Sequence, residues 1–409
     1  MTRARRRTLL ACVGLAVLLV VLAVWLVRRY QPPLHEDRLT LEPATFADLP
    51  GWGEDTVGAA LAAFQRSCQR RPMPPAGAAE ELDRFGVTAN DWATVCSMAV
   101  AVPDDDATVR AFFERWFQPF AAAAGRDREG LFTGYYEPLL RGSLRRSARY
   151  RVPLYARPPE VVAVDLGAFR AELRGQRLAG KVVDGALVPL PDRRAIDHGA
   201  LAGRGLELAW LESPVDAFFL QVQGSGVVRL QEGGEMRVGY AGENGHPYTS
   251  IGKELIRRGA FRPEEVSMQA IRRWIAQHPK AGQELLERDA SYVFFEPVQG
   301  KGPRGAEKVL LTPGRSLAVD RKHWPLGVPL WLDTTAPSPR ESEPARPFRR
   351  LLIAQDTGGA IRGPVRGDIF WGTGPDAEEI AGRMKHPGRL WVLLPKPLSA
   401  PRGPASRRG

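Results

Sequence analysis

Cysteine and histidine are scarce here, three and six residues among 409. No histidine sits in an HExxH pattern and no two cysteines form CxxC, so neither a zinc-type centre nor a dithiol redox motif is expected. A GxSxG elbow and a phosphate-binding P-loop are also missing, which removes two common catalytic frames, and no internal repeat is visible. Acidic residues are absent from both ends. The first 33 residues carry six arginines and residues 396–409 carry four basic side chains, so only +1 of the formal +11 belongs to residues 34–395. A nearly neutral body gives nucleic-acid binding no support, and no cofactor is expected.

The one long charge-free run is residues 9–27, nineteen residues flanked by four arginines before and two after. That length spans a bilayer, and the arginine bias places the N-terminus in the cytoplasm and the body outside. A retained signal anchor is expected over a cleaved signal, because no small-x-small site follows residue 27. Cys12 lies inside the apolar run instead of after it, which argues against a lipoprotein. Export favours a Cys68–Cys96 disulfide over two buried thiols.

With 42 Gly and 35 Pro in the chain, a turn-rich, mainly β architecture with helices (α+β) and two domains is expected. Helical spacing of Val57, Leu61, Phe64 and Cys68 opens the body. A further helical stretch is expected after residue 77, a third contains Cys96, and a fourth carries Val109, Phe112, Phe113 and Trp116 on one face. From Gly130 short strands take over, and QVQGSGVVRL (221–230) reads as strand, glycine turn and strand. Helices are expected from Thr249 or Ser250 and around 264–278, followed by a β region over 291–394.

Within residues 351–374, LLIAQDTGGAIRGPVRGDIFWGTG, an apolar strand ends at Asp356 beside Gly358 and Gly359. A second carboxylate, Asp368, then runs into Ile369, Phe370 and Trp371. Two acids on β-like segments can converge on one cleft, and neighbouring aromatics raise a carboxyl pKa by desolvation, as a general acid requires. An acid before Gly-Gly also makes ordinary turns, so residue types alone leave both readings open.

GLFTGYYEP, QVQGSG, GYAGENGHPYTSIG, SYVFF, TPGRSLAVDRKHWPLGVPLW and AQDTGGAI…GDIFWGTG…RLWVLLPK, in this order over residues 61–396, resemble the membrane-bound lytic murein transglycosylase A family. The resemblance implies a double-psi β-barrel (3D domain) with a smaller inserted β domain. The segments follow as a stub and anchor at 1–33, a helical part of the barrel domain at 34–138, the insert at 139–240, the catalytic barrel at 241–395 and a basic tail at 396–409. It implies a lyase cleaving the β-1,4 bond between N-acetylmuramic acid and N-acetylglucosamine in peptidoglycan, leaving 1,6-anhydro ends. Asp368 matches the catalytic aspartate and Asp356 its partner acid, with the segment between them one residue longer than the family pattern. Asp356 stiffens the glycine turn, tunes Asp368 or caps backbone N–H groups. Sugar contacts are expected from Tyr135, Tyr136, Gln223, Ser225 and Asn244, with Tyr240 as a further candidate, although the two adjacent tyrosines read equally well as strand core. Peptidoglycan strands are the expected partner of a monomer anchored in the inner membrane of a Gram-negative envelope with its body in the periplasm; wall-synthesis proteins are candidate partners.

Two other readings fit the same residues. A hydrolase would need a second acid, for which Glu137, Asp320 and Asp356 are available, and a non-catalytic wall-binding module fits the same barrel.

Overall fold

The computed structural model describes residues 38–70, 86–173, 176–300, 302–340 and 342–397. The expected membrane segment at 9–27, the helical stretch after residue 77 and the tail beyond residue 397 lie outside them. Among the described residues no helix is long and apolar enough to cross a membrane.

In chain order the elements begin with β1 (Leu39–Pro43), α1 (Gly58–Cys68), α2 (Ala89–Ala99) and α3 (Asp106–Trp116). They continue through β2 (Phe117–Ala124), β3 (Gly130–Glu137), β4 (Leu139–Ser143), β5 (Val152–Tyr155), β6 (Val162–Asp165), β7 (Arg177–Val183) and β8 (Ala186–Val188). Next come α4 (Arg193–Asp197), β9 (Glu207–Leu211), α5 (Pro214–Gln223), β10 (Ser225–Leu230) and β11 (Glu235–Glu243). After α6 (Ile251–Arg257), α7 (Met268–Gln277), α8 (Pro279–Leu286) and β12 (Val293–Pro297), the chain closes with β13 (Ser316–Val319), β14 (Pro329–Ala336), β15 (Arg346–Asp356), β16 (Arg366–Thr373), α9 (Pro375–Arg383) and β17 (Lys385–Pro395).

Six strands close into a ring in the order β3-β16-β13-β15-β14-β17, with β17 returning to β3. The β3–β16 and β13–β15 pairs are parallel, and the other four are antiparallel. Alternate residues turn inward, so Phe132, Leu317, Val319, Leu330 and Ile369 share one buried cluster with the helices α1–α3. Beyond β17 the sheet extends through β2 to β1.

Between β3 and β13 in the chain lies a second sheet, ordered β12-β11-β10-β4-β9-β5, with its own apolar core. It starts at Leu139 and does not end at residue 240: β11 continues to Glu243, and β12 pairs with it from Val293 to Pro297. A three-stranded sheet, β6-β7-β8, is attached.

Two of the N-terminal helices, α2 and α3, start where their sequences can cap them. Thr88 and Asp91 exchange hydrogen bonds in a capping box, and Asp105 accepts from the Thr108 N–H at 2.9 Å. Cys68 and Cys96 are bonded, with Cα atoms 5.3 Å apart, joining the end of α1 to α2. One expectation fails at 221–223, which form the last turn of a helix. The first arm of the anticipated strand–turn–strand is α5, opened by the Ser213 hydroxyl on the Asp216 N–H with Pro214 in the first turn and stopped by Gly224 at φ 78°. Likewise the β region after Ser291 is interrupted by α9, which starts at Gly374-Pro375 with Asp376 and Glu378 in its first turn.

Two buried polar ties join the N-terminal segment to the ring. Arg315, just before β13, makes a bidentate pair with Asp55, both contacts 2.7 Å, while Asp55 also accepts the Leu351 N–H at 3.0 Å. The second runs from α1 to β15. Ser67 donates to Glu307 at 2.6 Å, Gln355 donates to Ser67 at 2.8 Å, and Ser316 donates to Gln355 at 2.6 Å.

Asp55→Ala leaves a buried guanidinium without its counter-charge and is expected to cost roughly 3–5 kcal/mol, measured by chemical denaturation. Burial pushes Glu307 up from 4.5 to about 7, so the folded state favours the neutral acid. Its contribution is complete below the ordinary carboxyl range and is lost as pH rises through about 7. Glu307→Gln, which stays neutral, is therefore expected to melt a few °C above wild type at about pH 8–9 and to lose that advantage at about pH 5.

Candidate active site

Ala318, in the middle of β13, is the register partner of both acids, with Asp356 across the parallel pair and Asp368 across the antiparallel one. The carboxylates therefore start from backbones two strand spacings apart, about 9–10 Å, with one methyl group between them. β3 completes the row, with Thr133 opposite Asp368. On this outer face Tyr135, Ala318, Ile361, Phe370 and Leu311 form a small apolar cluster separate from the ring's core.

The two acids are held differently. Asp356 accepts the Ala306 and Thr357 N–H groups at 2.8 and 2.9 Å on one oxygen and the Tyr135 hydroxyl at 2.9 Å on the other. Burial raises its carboxyl to about 6; the three hydrogen bonds oppose the rise and the charge of Asp368 adds to it. Asp368 receives one protein hydrogen bond among the described residues, from the Thr133 hydroxyl to Oδ1 at 2.7 Å. Burial pushes Asp368 up too, with the Arg366 guanidinium and the Thr133 bond pulling the other way. Each acid keeps some accessible surface, yet enough protein surrounds it for burial to dominate its titration. The Asp368 Oδ2 has no protein partner among the described residues and is not sealed from solvent.

The loop between the acids is tied by the segment that follows β13. Asp320 accepts the Gly363 N–H at 2.8 Å, and the Trp324 indole donates to the Pro364 carbonyl at 2.7 Å. The loop is thus fixed before β16 begins, and Asp368 pairs in register with Thr133.

Of the residues expected to meet sugar, several are elsewhere. Tyr136 points to the opposite face of β3, 1% exposed, in a core with Phe219, Met268 and Ile271; its ring has no free face. Asn244 is 0% exposed, and its amide is consumed internally. It donates to Pro191 and Ala290 carbonyls at 3.0 and 2.9 Å and accepts the Tyr292 N–H at 2.8 Å, so it locks a loop and offers nothing to a ligand. Tyr135 stands at the site, but its ring packs 5.3 Å from Phe370 and its hydroxyl holds Asp356.

Gln223 uses its side-chain carbonyl on the Tyr136 N–H at 3.0 Å, and its amide nitrogen makes no hydrogen bond among the described residues. Ser225, half-buried, is opposite Gly239 on β11, next to Tyr240. Tyr240 is 47% exposed, with Glu243, Arg177 and Arg157 near enough to act on its phenol, which burial raises. The motifs do not mark Thr133 or Arg366 as functional residues. Strand alternation in TGYYE carries the first signal, since Thr133 shares a face with Tyr135; nothing local marks the second.

The other candidate acids are committed. Glu137 is 0% exposed, paired with Arg237 and accepting the Thr373 hydroxyl at 2.7 Å. Both oxygens of buried Asp320 accept backbone N–H groups, from Lys322 at 3.0 Å and Gly363 at 2.8 Å. Among the described residues no group of three or more histidine, cysteine or acidic side chains is placed to hold a metal ion.

Known proteins resemble this chain in sequence and fold. The MltA specific insert domain matches residues 131–296 and the 3D domain residues 315–394. Curated relatives named membrane-bound lytic murein transglycosylase A, from Escherichia coli K12 and Vibrio cholerae, are 37% and 34% identical over 277 residues, 67% of this chain and 68% of each relative. A solved membrane-bound lytic murein transglycosylase from Agrobacterium tumefaciens superposes with a TM-score of 0.76 at 37% identity, covering 87% of this chain and 98% of that one. MltA from Neisseria gonorrhoeae gives 0.71 at 32% identity, covering 88% and 94%. Escherichia coli MltA with bound chitohexaose gives 0.61 at 30% identity, covering 90% and 93%. By sequence and fold, this chain belongs to the membrane-bound lytic murein transglycosylase A family of peptidoglycan-cleaving lyases.

Proposed function

We propose that this chain cleaves the β-1,4 bond between N-acetylmuramic acid and N-acetylglucosamine without water, with Asp368 as its only acid and base. One observation carries the reading: among the acids weighed for catalysis, only Asp368 has a carboxylate oxygen that lacks a protein partner among the described residues and is also open to solvent, whereas the unpartnered Glu137 Oε1 is sealed in the interior. Neutral Asp368 gives its proton to the departing glycosidic oxygen as the C1–O bond breaks. The resulting carboxylate takes the proton of the muramic C6 hydroxyl as that oxygen bonds to C1, leaving a 1,6-anhydro end and a neutral acid again. An ordinary glycosidase needs a second carboxylate for water or for a covalent intermediate. Glu137 and Asp320 are buried, and both oxygens of Asp356 already accept hydrogen bonds, which weighs against hydrolysis. Asp356 instead anchors Tyr135 and adds negative potential beside Asp368.

The six-strand ring is read as the double-psi barrel, with glycan in the groove between it and the insert that starts at Leu139. The relative that binds chitohexaose supports an oligosaccharide ligand of this class. Tyr240, Gln223 and Ser225 supply the insert's sugar contacts. Cleavage of peptidoglycan belongs in the cell envelope, and residues 9–27 would fasten the enzyme to the inner membrane.

Product analysis of purified peptidoglycan digests tests the mechanism. Wild type is expected to release anhydro-ended fragments; Asp368→Asn is expected to lose at least ~10²-fold in turnover while still sedimenting with the wall. Free reducing ends, or full activity of the variant, would reject it. Because the acid must be protonated, kcat is expected to fall as pH rises through the elevated pKa of Asp368. Tyr240→Ala removes a stacking face and is expected to raise KM about 3–10-fold with kcat little changed, as measured on glycan strands.

A further inference from the structure

We propose that Arg366 is a positioning residue that acts through Thr133 to place the proton of neutral Asp368 on Oδ2, the oxygen facing the cleft. The inference rests on Asp368 being the acid. A guanidinium has only donors. Arg366 Nη2 lies 2.9 Å from the Thr133 hydroxyl oxygen, so Thr133 must accept there. The acceptor within reach of the hydroxyl's own hydrogen is Asp368 Oδ1, at 2.7 Å. With that hydrogen aimed at Oδ1, a carboxyl proton on the same oxygen would meet it head-on, whereas Oδ2 has no partner among the described residues.

The fork of Arg366 is itself fixed. Its Nη1 donates to the Leu131 carbonyl at 3.4 Å and to the Gly367 carbonyl, spanning the β3–β16 seam. Placing one hydroxyl between cation and acid also has an electrostatic logic. Arg366 is not within ion-pair distance of Asp368, but it lies close enough to favour the carboxylate. Direct contact would depress an aspartate's pKa by about 1–3 units and hold it ionised at neutral pH, useless as an acid. Through Thr133 the cation orients the carboxyl group and moderates its affinity for the proton without abolishing it. The carboxylate formed in the first half of the reaction is stabilised by the same hydroxyl, which stays in place for the second half.

The test is kcat and KM against pH on soluble glycan strands for Thr133→Val, Arg366→Gln, their combination, Thr133→Ser and Arg366→Lys, with melting curves to establish folding. Thr133→Val and Arg366→Gln are each expected to lower kcat ~10–100-fold with KM within ~2-fold, because orientation and not binding is lost. Each also removes an interaction with the carboxylate, so the alkaline limb of kcat is expected to move upward by roughly half a pH unit or more. The combination is expected to be no worse than the poorer single variant, since both interrupt one chain of contacts. Thr133→Ser is expected to restore both rate and limb, and Arg366→Lys, which keeps the charge, to restore the limb more fully than the rate. Folded Thr133→Val and Arg366→Gln proteins with wild-type limbs, additive losses in the combination, or changes confined to KM would each overturn the inference. If Asp368→Asn itself retains lysis, the reading of the site fails instead. If Asp368→Asn is dead and the relay variants are unaltered, only the relay fails.

Discussion

The site depends on the register of β3 within the ring. This strand is caught between β16, which it meets in parallel at Thr133–Asp368, and β17, which it meets antiparallel at Thr133–Lys385. A slip of one residue on either side would turn Phe132 out of the core and Thr133 and Tyr135 into it, because side chains alternate faces. Two glycines hold that register by close approach. A Cβ on Gly130 would lie 1.7 Å from the Val365 carbonyl oxygen, and one on Gly134 would lie 2.6 Å from the Trp371 indole nitrogen. Closing the ring and presenting the acid's hydroxyl partner are therefore one requirement.

On this frame the two acids differ by hydrogen bonding more than by burial. Both are raised by burial, but Asp356 is surrounded by donors that belong to the loop before β13, the turn after β15 and β3. It works as a rivet whose charge is felt by its neighbour. Asp368 has one hydroxyl and an open oxygen, which is the minimum that holds a carboxyl group still while leaving it reactive. The Glu307 network lies directly behind the Ala306 N–H that Asp356 accepts, so the position of the rivet depends on the buried contacts of α1.

Much of this was legible in the chain. The helices at 89–99 and 106–116 follow from apolar spacing and local caps, both of which are short-range properties, and the helix at 58–68 follows from spacing alone, its first N–H being taken by distant Asp106. The acid pair was visible because both members lie within one stretch of motif. The failures have a common cause. Adjacent Tyr135 and Tyr136 look equivalent in sequence, yet strand alternation sends one to the acids and the other to the core. Asn244 looks like a ligand-seeking amide until the carbonyls of Pro191 and Ala290, distant in the chain, close around it. The run before Gly224 reads as strand from its composition, but the Ser213-Pro214 start makes it a helix. Partners hundreds of residues apart, such as Asp55 with Arg315 or Thr133 with Arg366, leave no local trace at all.

The most direct test of a single-acid lyase is digestion of purified peptidoglycan in H₂¹⁸O, followed by mass spectrometry of the new ends. If Asp368 closes the C6 hydroxyl onto C1, no solvent oxygen enters the muramic product. One ¹⁸O incorporated per bond cut would mean that water is the nucleophile, and would contradict the account.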